Sequence, residues 1–149
     1  MKTTITTHSP QQTQEFATFL ARLLKGNEII FLEGNLGAGK TTFTQGLAKG
    51  LNIRDNVNSP TFTLMKIYHG DHPLVHIDAY RLEGIDQDLG FEDYFDGEHI
   101  VIIEWANFIQ DQLETPDIKI QIHYIDQQQR QIEIEADAAL IEELNTYGN

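Results

Sequence analysis

The sequence predicts an α/β fold with helices on both sides of a mostly parallel central sheet and an antiparallel extension of that sheet. Residues 29–32 form a continuous apolar run that leads through a glycine-rich loop into a helical pattern, and 74–77 and 100–103 are further apolar runs. Continuous apolar runs are typical of strands covered on both faces. Residues 118–124 and 131–135 instead alternate in polarity around a polar turn, which indicates an antiparallel pair.

The N-terminal part of the chain predicts a strand followed by a helix. Residues 3–7 are rich in β-branched side chains, which favour a strand. The helix is expected to begin after Ser9, the N-cap, with Pro10 at the first helical position and Gln12 completing a capping box. Its apolar residues recur at helical spacing up to the expected end at Gly26.

Two more helices complete the predicted fold. Apolar residues recur every four positions after Lys40, so the glycine-rich loop opens a helix, and a closing helix is expected from Asp137 onward. The chain has 149 residues, about the length of one ordinary domain, and it shows neither an internal repeat nor a linker. We therefore expect a single domain over 1–149.

The composition narrows the class of protein. The sequence has no cysteine, which excludes disulfides and thiol chemistry and suits a reducing compartment. No stretch approaches the ~18 apolar residues that cross a bilayer, and the N-terminus is polar, unlike a secretory signal. We expect a cytoplasmic protein that makes no membrane contact.

Charge is distributed unevenly along the chain. Residues 1–82 contain eight basic and six acidic residues, whereas 83–149 contain two basic and seventeen acidic residues. Negative charge of this density repels nucleic-acid phosphates, so any role near RNA is expected to depend on a partner or on the less acidic first part. The plainer interpretation is that the acidic part is a solvated surface.

The glycine-rich loop carries the strongest motif. Its sequence GNLGAGKT, at 34–41, matches the P-loop pattern G-x-x-x-x-G-K-[ST]. Glycines let successive backbone N–H groups point at phosphate oxygens, and the N-terminus of the next helix adds the positive end of its dipole. Lys40 is expected to reach the β- and γ-phosphates, and the Thr41 hydroxyl to bind Mg²⁺. The alternative is a turn that is rich in glycine by chance.

Two carboxylates directly follow apolar strands, Asp78 after 74–77 and Glu104 after 100–103. The carboxyl ends of parallel strands meet at one edge of a sheet, beside the predicted phosphate site. We expect Glu104 to bind the metal, directly or through water. We expect Asp78 either to support the metal site without binding the ion itself or to orient the attacking water. Ordinary capping of a strand end is the alternative for each, and the assignment of the water-orienting role to Asp78 or Glu104 stays open.

The loop at 59–63 contains several hydroxyl groups and has two interpretations. The hydroxyls are suited to sense the γ-phosphate, as those of switch loops do. Alternatively, the segment is a polar loop that enters an edge strand with a proline at its start. The segment 83–98 carries no sharp motif.

Four motifs together resemble a known family. They are GNLGAGKTT (34–42), SPTFTL (59–64), HIDAYRL (76–82) and IEW (103–105), and in this order and spacing the chain closely resembles the bacterial TsaE family, also called YjeE. The resemblance implies a P-loop NTPase-type three-layer fold that binds ATP with Mg²⁺. It also implies slow ATP hydrolysis by the protein alone and faster hydrolysis with the partner proteins TsaB and TsaD. TsaD transfers the threonylcarbamoyl group, so contact with tRNA is expected only indirectly, through the complex.

The resemblance also implies roles for individual residues. Magnesium is expected on Thr41 and Glu104, and adenine-side contacts are expected near Pro10 and Arg130. Asp78 and Trp105 fall on family motif positions, Trp105 near the nucleotide or the partner surface. The phosphates are expected to lie on Leu36, Gly37, Ala38, Gly39, Lys40 and Thr41, with Thr42 beside them on a motif position.

Three other functions remain as alternatives. A small P-loop kinase for a nucleoside or other small molecule usually brings several arginines to the phosphates, and this chain has four, scattered along the sequence. A GTPase would carry an N-K-x-D signature, which the sequence lacks. A pure interaction module with a structural nucleotide is compatible with all of these motifs.

Overall fold

The computed structural model of the protein describes residues 1–35, 37–58, 65–84, 90–113 and 115–147. Within these ranges the strands are β1 (Lys2–Thr7), β2 (Ile29–Glu33), β3 (Met65–Tyr68), β4 (Leu74–Asp78), β5 (Ile100–Glu104), β6 (Ile118–Tyr124) and β7 (Arg130–Glu135). The α-helices are α1 (Pro10–Leu23), α2 (Lys40–Gly50) and α3 (Ala138–Leu144). Short 3₁₀ segments lie at Tyr80–Leu82, Phe91–Tyr94 and Ala106–Gln112. Every strand and helix predicted from the sequence is confirmed within one or two residues, except for the end of α1.

The described strands form one seven-stranded sheet in the order β1-β7-β6-β2-β5-β4-β3. The four central strands, β6, β2, β5 and β4, pair in parallel. Strands β7 and β1 extend one edge in antiparallel pairing, and β3 is antiparallel to β4 at the other edge. The α/β class with a parallel centre and an antiparallel extension is thus confirmed, and the third antiparallel strand pair, at β3, is an addition to it.

The two faces of the sheet are covered differently. Alternate residues of β2 separate into two clusters: Ile30 and Leu32 pack with α1 and α2, whereas Ile29 and Phe31 pack with residues of the 3₁₀ segments, such as Phe91. Helix α3 lies on the same face as α1 and α2. Helical elements therefore cover both faces, but the α-helices lie on one face only, because the described connections after β4 and β5 contain short 3₁₀ turns.

The start and end of α1 differ slightly from the predicted capping box. The Ser9 hydroxyl accepts a hydrogen bond from the Gln12 N–H at 3.1 Å, as expected of an N-cap. The Gln12 side chain, however, accepts from the N–H of His8 at 2.8 Å, one residue before the N-cap. The helix ends at Leu23 because the next residue already has an extended backbone, so the prediction that Gly26 ends it was wrong.

Helix α2 is held close to α1 by a glycine. A Cβ atom on Gly46 would lie 2.6 Å from the Gln14 Cα of α1, and the Thr18 hydroxyl donates to the Gly46 carbonyl at 2.8 Å. The close approach fixes the direction of α2, and α2 begins at the P-loop lysine. Packing in the core therefore orients the start of the candidate site.

We expect Gly46→Ala to lower the free energy of unfolding by about 1–3 kcal/mol, because the added methyl group would press on backbone atoms that cannot rotate away. The helix propensity of alanine alone would raise stability by about 1 kcal/mol. Urea denaturation measures the change, with Lys49→Ala on the exposed side of α2 as the control. An unchanged or higher midpoint for Gly46→Ala would contradict the close packing of the two helices.

None of the helices in the described ranges has both the length and the apolar character needed to span a bilayer.

Candidate functional site

The P-loop connects β2 to α2 and bends sharply at two glycines. Gly37 and Gly39 have φ angles of 81° and 104°, a left-handed conformation that strains residues with a side chain. Gly39 is the N-cap of α2 and has no side chain to accept from the first turn. The N-cap therefore leaves the amide groups of that turn uncapped, which suits a helix N-terminus that binds an anion.

Lys40, the first residue of α2, is buried beside two side chains from the end of β5. Its Nζ lies 3.7 Å from Glu104 Oε1 and 4.4 Å from the centre of the Trp105 ring. The Lys40 and Glu104 side chains are only 7% and 5% exposed. A buried charge of either sign is costly without its partner, so the two side chains depend on each other.

Strand register brings the predicted carboxylates together. In the parallel pairing, Glu104 lies beside Leu32 of β2 on one side and beside Asp78 of β4 on the other. The P-loop leaves the sheet just beyond Leu32. The expectation that Asp78 and Glu104 would meet at the edge of the sheet near the P-loop is confirmed, while their roles there stay a prediction.

Glu104 also contacts His76, which had no predicted role. His76 is fully buried in β4, and its Nε2 lies 2.5 Å from Glu104 Oε2. The sequence does contain a signal for this contact, namely a histidine inside an otherwise apolar strand. His76 and Asp78 are two residues apart, so strand alternation places them on the same face of the sheet.

Asp78 is half-buried, and its Oδ1 accepts from the Tyr80 N–H at 3.0 Å. Burial raises the pKa of the Asp78 carboxyl, and the nearby Glu104 raises it further. The hydrogen bond from the Tyr80 N–H and the neighbouring His76 and Lys40 side chains oppose this change but do not cancel it. A carboxyl with a raised pKa at a strand end is a candidate for water-orienting or proton-accepting work.

We expect Asp78→Asn to raise the melting temperature at pH 7. Because the pKa of Asp78 is raised on folding, the folded state binds the proton more tightly than the unfolded chain does. The protonated Asp78 carboxyl therefore stabilises the fold at a pH below the usual carboxyl pKa, and this contribution is lost as the pH rises through the raised pKa of the folded state. Asparagine cannot ionise and still accepts from Tyr80, so the gain in melting temperature should shrink on acidification.

Asp126→Asn is the control, because its expected change in melting temperature at pH 7 is opposite to that of Asp78→Asn. Backbone N–H groups of Gln129 and Gln128 lower the pKa of Asp126, so its ionised form stabilises the fold, and this contribution is lost as the pH falls. The variant should therefore lower the melting temperature at pH 7. Scanning calorimetry from pH 7 to about pH 4 compares the two variants. A lower melting temperature for Asp78→Asn at pH 7 would contradict a raised pKa of the Asp78 carboxyl.

Trp105 connects the site to an aromatic cluster. It adopts a left-handed backbone with a φ of 57°, which is unfavourable for a residue with a side chain and directs the chain out of β5. Its ring stacks on Phe108 at 5.4 Å and tilts against Tyr80 at 5.1 Å. Trp105 is thus half-buried over Lys40 rather than part of the central core.

Arg130 holds the P-loop from the antiparallel extension. Its Nε donates to the Ala38 carbonyl at 2.7 Å, and its guanidinium lies 4.6 Å from the centre of the Tyr124 ring. The start of α1 is nearby, because His8 Nδ1 is 3.1 Å from the side-chain oxygen of Gln129. Pro10 is exposed at that start.

A cleft of about 850 Å³ borders the P-loop and the end of β6, a size that suits a small-molecule ligand. Gly34, Ala38, Trp105 and Tyr124 are among its lining residues, and Lys40, which Glu104 and Trp105 cover, is not.

The remaining predicted site residues divide into two groups. Thr41 and Thr42 lie half-buried in the first turn of α2, next to Lys40. Leu36 and the loop at 59–64 lie outside the described residues. An edge strand does begin at Met65, directly after that loop.

The donor groups of the site fit a phosphate with a hard cation. The uncapped start of α2 and the Lys40 amino group suit an anion, and the Glu104 carboxylate suits a cation that prefers oxygen ligands. Within the described ranges, no group of three or more histidine, aspartate or glutamate side chains forms a metal site. One carboxylate combined with phosphate oxygens and water is the arrangement typical of Mg²⁺ with nucleotides.

Comparison with known proteins gives one family. Residues 7–132 match the family model described as "Threonylcarbamoyl adenosine biosynthesis protein TsaE". The matched range contains the P-loop, both carboxylates and Arg130.

Relatives and a solved structure agree with the match. The chain is similar to the tRNA threonylcarbamoyladenosine biosynthesis protein TsaE of Bacillus subtilis, at 42% identity over 96% of this chain and 94% of that protein. It is 40% identical to the protein of the same name from Aquifex aeolicus, over 85% of this chain and 90% of the relative. The crystal structure of Bacillus subtilis YdiB superposes with a TM-score of 0.80 at 34% identity, covering 100% of this chain and 97% of the other.

Proposed function

Because the chain belongs to the TsaE family, we propose that it is a P-loop ATPase that acts in the threonylcarbamoyladenosine modification of tRNA. The observation that carries the ATPase part is the buried pair of Lys40 and Glu104 at the uncapped start of α2. Without a ligand each buried charge is compensated by the other. MgATP would offer each of them a further partner of opposite charge, the phosphates for Lys40 and the magnesium ion for Glu104.

The phosphates are proposed to bind along the P-loop and the first turn of α2. Backbone N–H groups there would donate to phosphate oxygens, and Lys40 would neutralise the β- and γ-phosphates. The residues proposed for these contacts are Leu36, Gly37, Ala38, Gly39, Lys40, Thr41 and Thr42. Arg130 supports the loop through the Ala38 carbonyl, so a change at Arg130 should weaken phosphate binding as well as any contact to adenine.

Thr41 and Glu104 are proposed to hold Mg²⁺. The ion would neutralise charge on the phosphates, which is its usual contribution to phosphoryl transfer. Asp78, beside Glu104 in register, is proposed to orient the attacking water, since its raised pKa and partial exposure suit a group that accepts a proton. Lys40 is proposed to stabilise the negative charge of the phosphates throughout ATP hydrolysis.

The adenine side is proposed to lie near Pro10 and Arg130. The contact between His8 and Gln129 brings the start of α1 to the turn before β7. Arg130, the next residue, bonds to the P-loop at the Ala38 carbonyl. The guanidinium of Arg130 already donates to backbone carbonyls and covers Tyr124, which fixes its plane. A planar, fixed cation is suited to lie against a purine ring.

TsaB and TsaD are the proposed partners, and the cytoplasm is the proposed location. The acidic residues concentrated in 83–149 disfavour a direct grip on RNA. We therefore propose that the protein reaches tRNA only through these partners, as a single ATPase domain over 1–149 that drives or resets the modification cycle.

ATP turnover by the purified protein with Mg²⁺, alone and with TsaB and TsaD added, tests the proposal. We expect slow turnover alone and faster turnover with both partners. Binding of ATP that the partners do not change would contradict the tRNA-modification role while keeping the P-loop assignment. Transfer of phosphate to an added nucleoside or nucleoside monophosphate would instead favour the small-kinase alternative.

A further inference from the structure

We propose that His76 is a positioning residue: a neutral imidazole that donates from Nε2 to Glu104 and holds the other carboxylate oxygen toward Lys40 and the P-loop. The proposal rests on the ATPase function proposed for the chain, because the use of that oxygen is to bind magnesium beside ATP. The location of His76, the hydrogen-bonding of its ring and the geometry of Glu104 each support it.

The location is a buried diagonal contact between parallel strands. His76 lies beside Ile102 in the register of β4 and β5, and Glu104 lies two residues further along β5 on the same face. The His76 side chain is fully buried and that of Glu104 is 5% exposed, so solvent does not compete for the bond between them. A contact this short and dry restrains the carboxylate strongly.

Hydrogen bonding indicates which ring nitrogen carries the proton. Nε2 lies 2.5 Å from Glu104 Oε2, whereas the buried Nδ1 of His76 has no hydrogen-bond partner among the described residues. A neutral imidazole has one N–H. A proton on Nδ1 would bury an unpaired donor and would set the Nε2 lone pair against the carboxylate oxygen. A proton on Nε2 forms the bond and leaves only an unpaired acceptor.

The consequence for Glu104 is that its two oxygens have different tasks. Oε2 accepts from His76, and Oε1 faces Lys40 Nζ at 3.7 Å. A free glutamate would rotate about three side-chain bonds and present either oxygen. Hydrogen bonds that orient a metal-binding carboxylate typically change metal affinity by ~10–100-fold. His76 therefore orients Oε1 toward the proposed magnesium site, and it does not itself contact the nucleotide or the metal.

The first test determines which nitrogen of the His76 ring carries the proton. Long-range ¹H–¹⁵N spectra of the wild-type protein distinguish a protonated Nε2 from a protonated Nδ1. We expect the Nε2–H form for His76. The Nδ1–H form would overturn the proposal, whatever the protein's activity.

The second test separates magnesium from nucleotide. ATP affinity is measured without metal, in EDTA, and during a Mg²⁺ titration, for wild type, His76→Leu and His76→Gln. Leucine removes the donor, whereas the side-chain amide of glutamine places an N–H near the position of Nε2. We expect His76→Leu to raise the Mg²⁺ concentration for half-maximal effect by ~10–100-fold, with little change in EDTA, and His76→Gln to restore most of the loss.

The control is a histidine–aspartate pair just before the start of β5, at the opposite end of that strand from Glu104. His99 Nδ1 lies 2.8 Å from Asp96 Oδ1, so His99→Leu should leave the Mg²⁺ requirement unchanged. An equal Mg²⁺ requirement in His76→Leu and wild type would overturn the proposal, as would equal losses in the leucine and glutamine variants. If His76→Leu does not fold, the ring spectra and His76→Gln still decide. Absence of Mg²⁺-dependent ATP binding in the wild type would instead refute the proposed function.

Discussion

Lys40→Ala is expected to lower the affinity for ATP by on the order of 100-fold, measured by calorimetric titration in the presence of Mg²⁺. Lys40 is buried at the uncapped start of α2, so water would screen its attraction to a phosphate only weakly. Removing a charge-assisted hydrogen bond in such surroundings costs about 3 kcal/mol, which corresponds to this factor. Lys49→Ala removes an exposed lysine from the same helix and should leave affinity unchanged.

The Lys40 variant also tests the buried ion pair. Glu104 would remain buried without its cation, and breaking a buried pair from one side costs about 3–5 kcal/mol of stability. If Lys40→Ala is unfolded, the double variant Lys40→Ala/Glu104→Gln carries neither charge and should recover much of that loss. It should still bind ATP poorly. Wild-type ATP affinity in a folded Lys40→Ala protein would contradict a phosphate-binding role for this lysine.

The order of strands and helices follows from local patterns in the sequence. Continuous apolar runs marked the central strands, and polar alternation marked β6 and β7, because burial on two faces or one face sets those periods. Ser9 and Asp137 predicted the starts of α1 and α3, since each accepts from a backbone N–H of its own helix. Such signals lie within a few residues of each other and need no knowledge of the fold.

The arrangement of the sheet edges depends on contacts that are distant in sequence. β1 pairs with β7 across nearly the whole chain, and a β-branched run near the N-terminus does not specify that partner. The α-helices lie on one face because the described connections after β4 and β5 contain only short 3₁₀ turns, and no periodicity in the sequence predicts on which face a helix will pack.

The candidate site shows the same division. The P-loop pattern and the carboxylates after β4 and β5 predicted that Lys40, Asp78 and Glu104 belong together, since parallel strands end at one edge. The bond from Arg130 to the Ala38 carbonyl spans 92 residues. That bond and the contact between His76 and Glu104 arise from strand register and side-chain packing. Motif spacing carries no information about either.

Glu104→Gln is expected to reduce ATP turnover in the presence of the proposed partners by on the order of 100-fold or more, because the amide would not supply the negative charge that is proposed to bind Mg²⁺. Glutamine has nearly the same shape and its oxygen still accepts from His76, which favours the same geometry at the end of β5. Lys40 loses its buried anion, so the variant should be less stable than the wild type by about 3–5 kcal/mol, and its folding is checked by urea denaturation. ATP affinity in EDTA should be retained or improved, since Lys40 loses its competing carboxylate partner. Turnover with TsaB and TsaD and calorimetric titration in EDTA measure the two effects.

Asp78→Asn is the matched comparison for Glu104→Gln, because the two side chains are neighbours in register and each substitution replaces a carboxylate by its amide. If Glu104 binds the metal and Asp78 orients the water, Glu104→Gln should raise the Mg²⁺ requirement. Asp78→Asn should lower turnover at an unchanged Mg²⁺ requirement. The reverse pattern would exchange the two roles. Full turnover in both variants, with ATP binding abolished only in Lys40→Ala, would favour a nucleotide-binding interaction module over an ATPase.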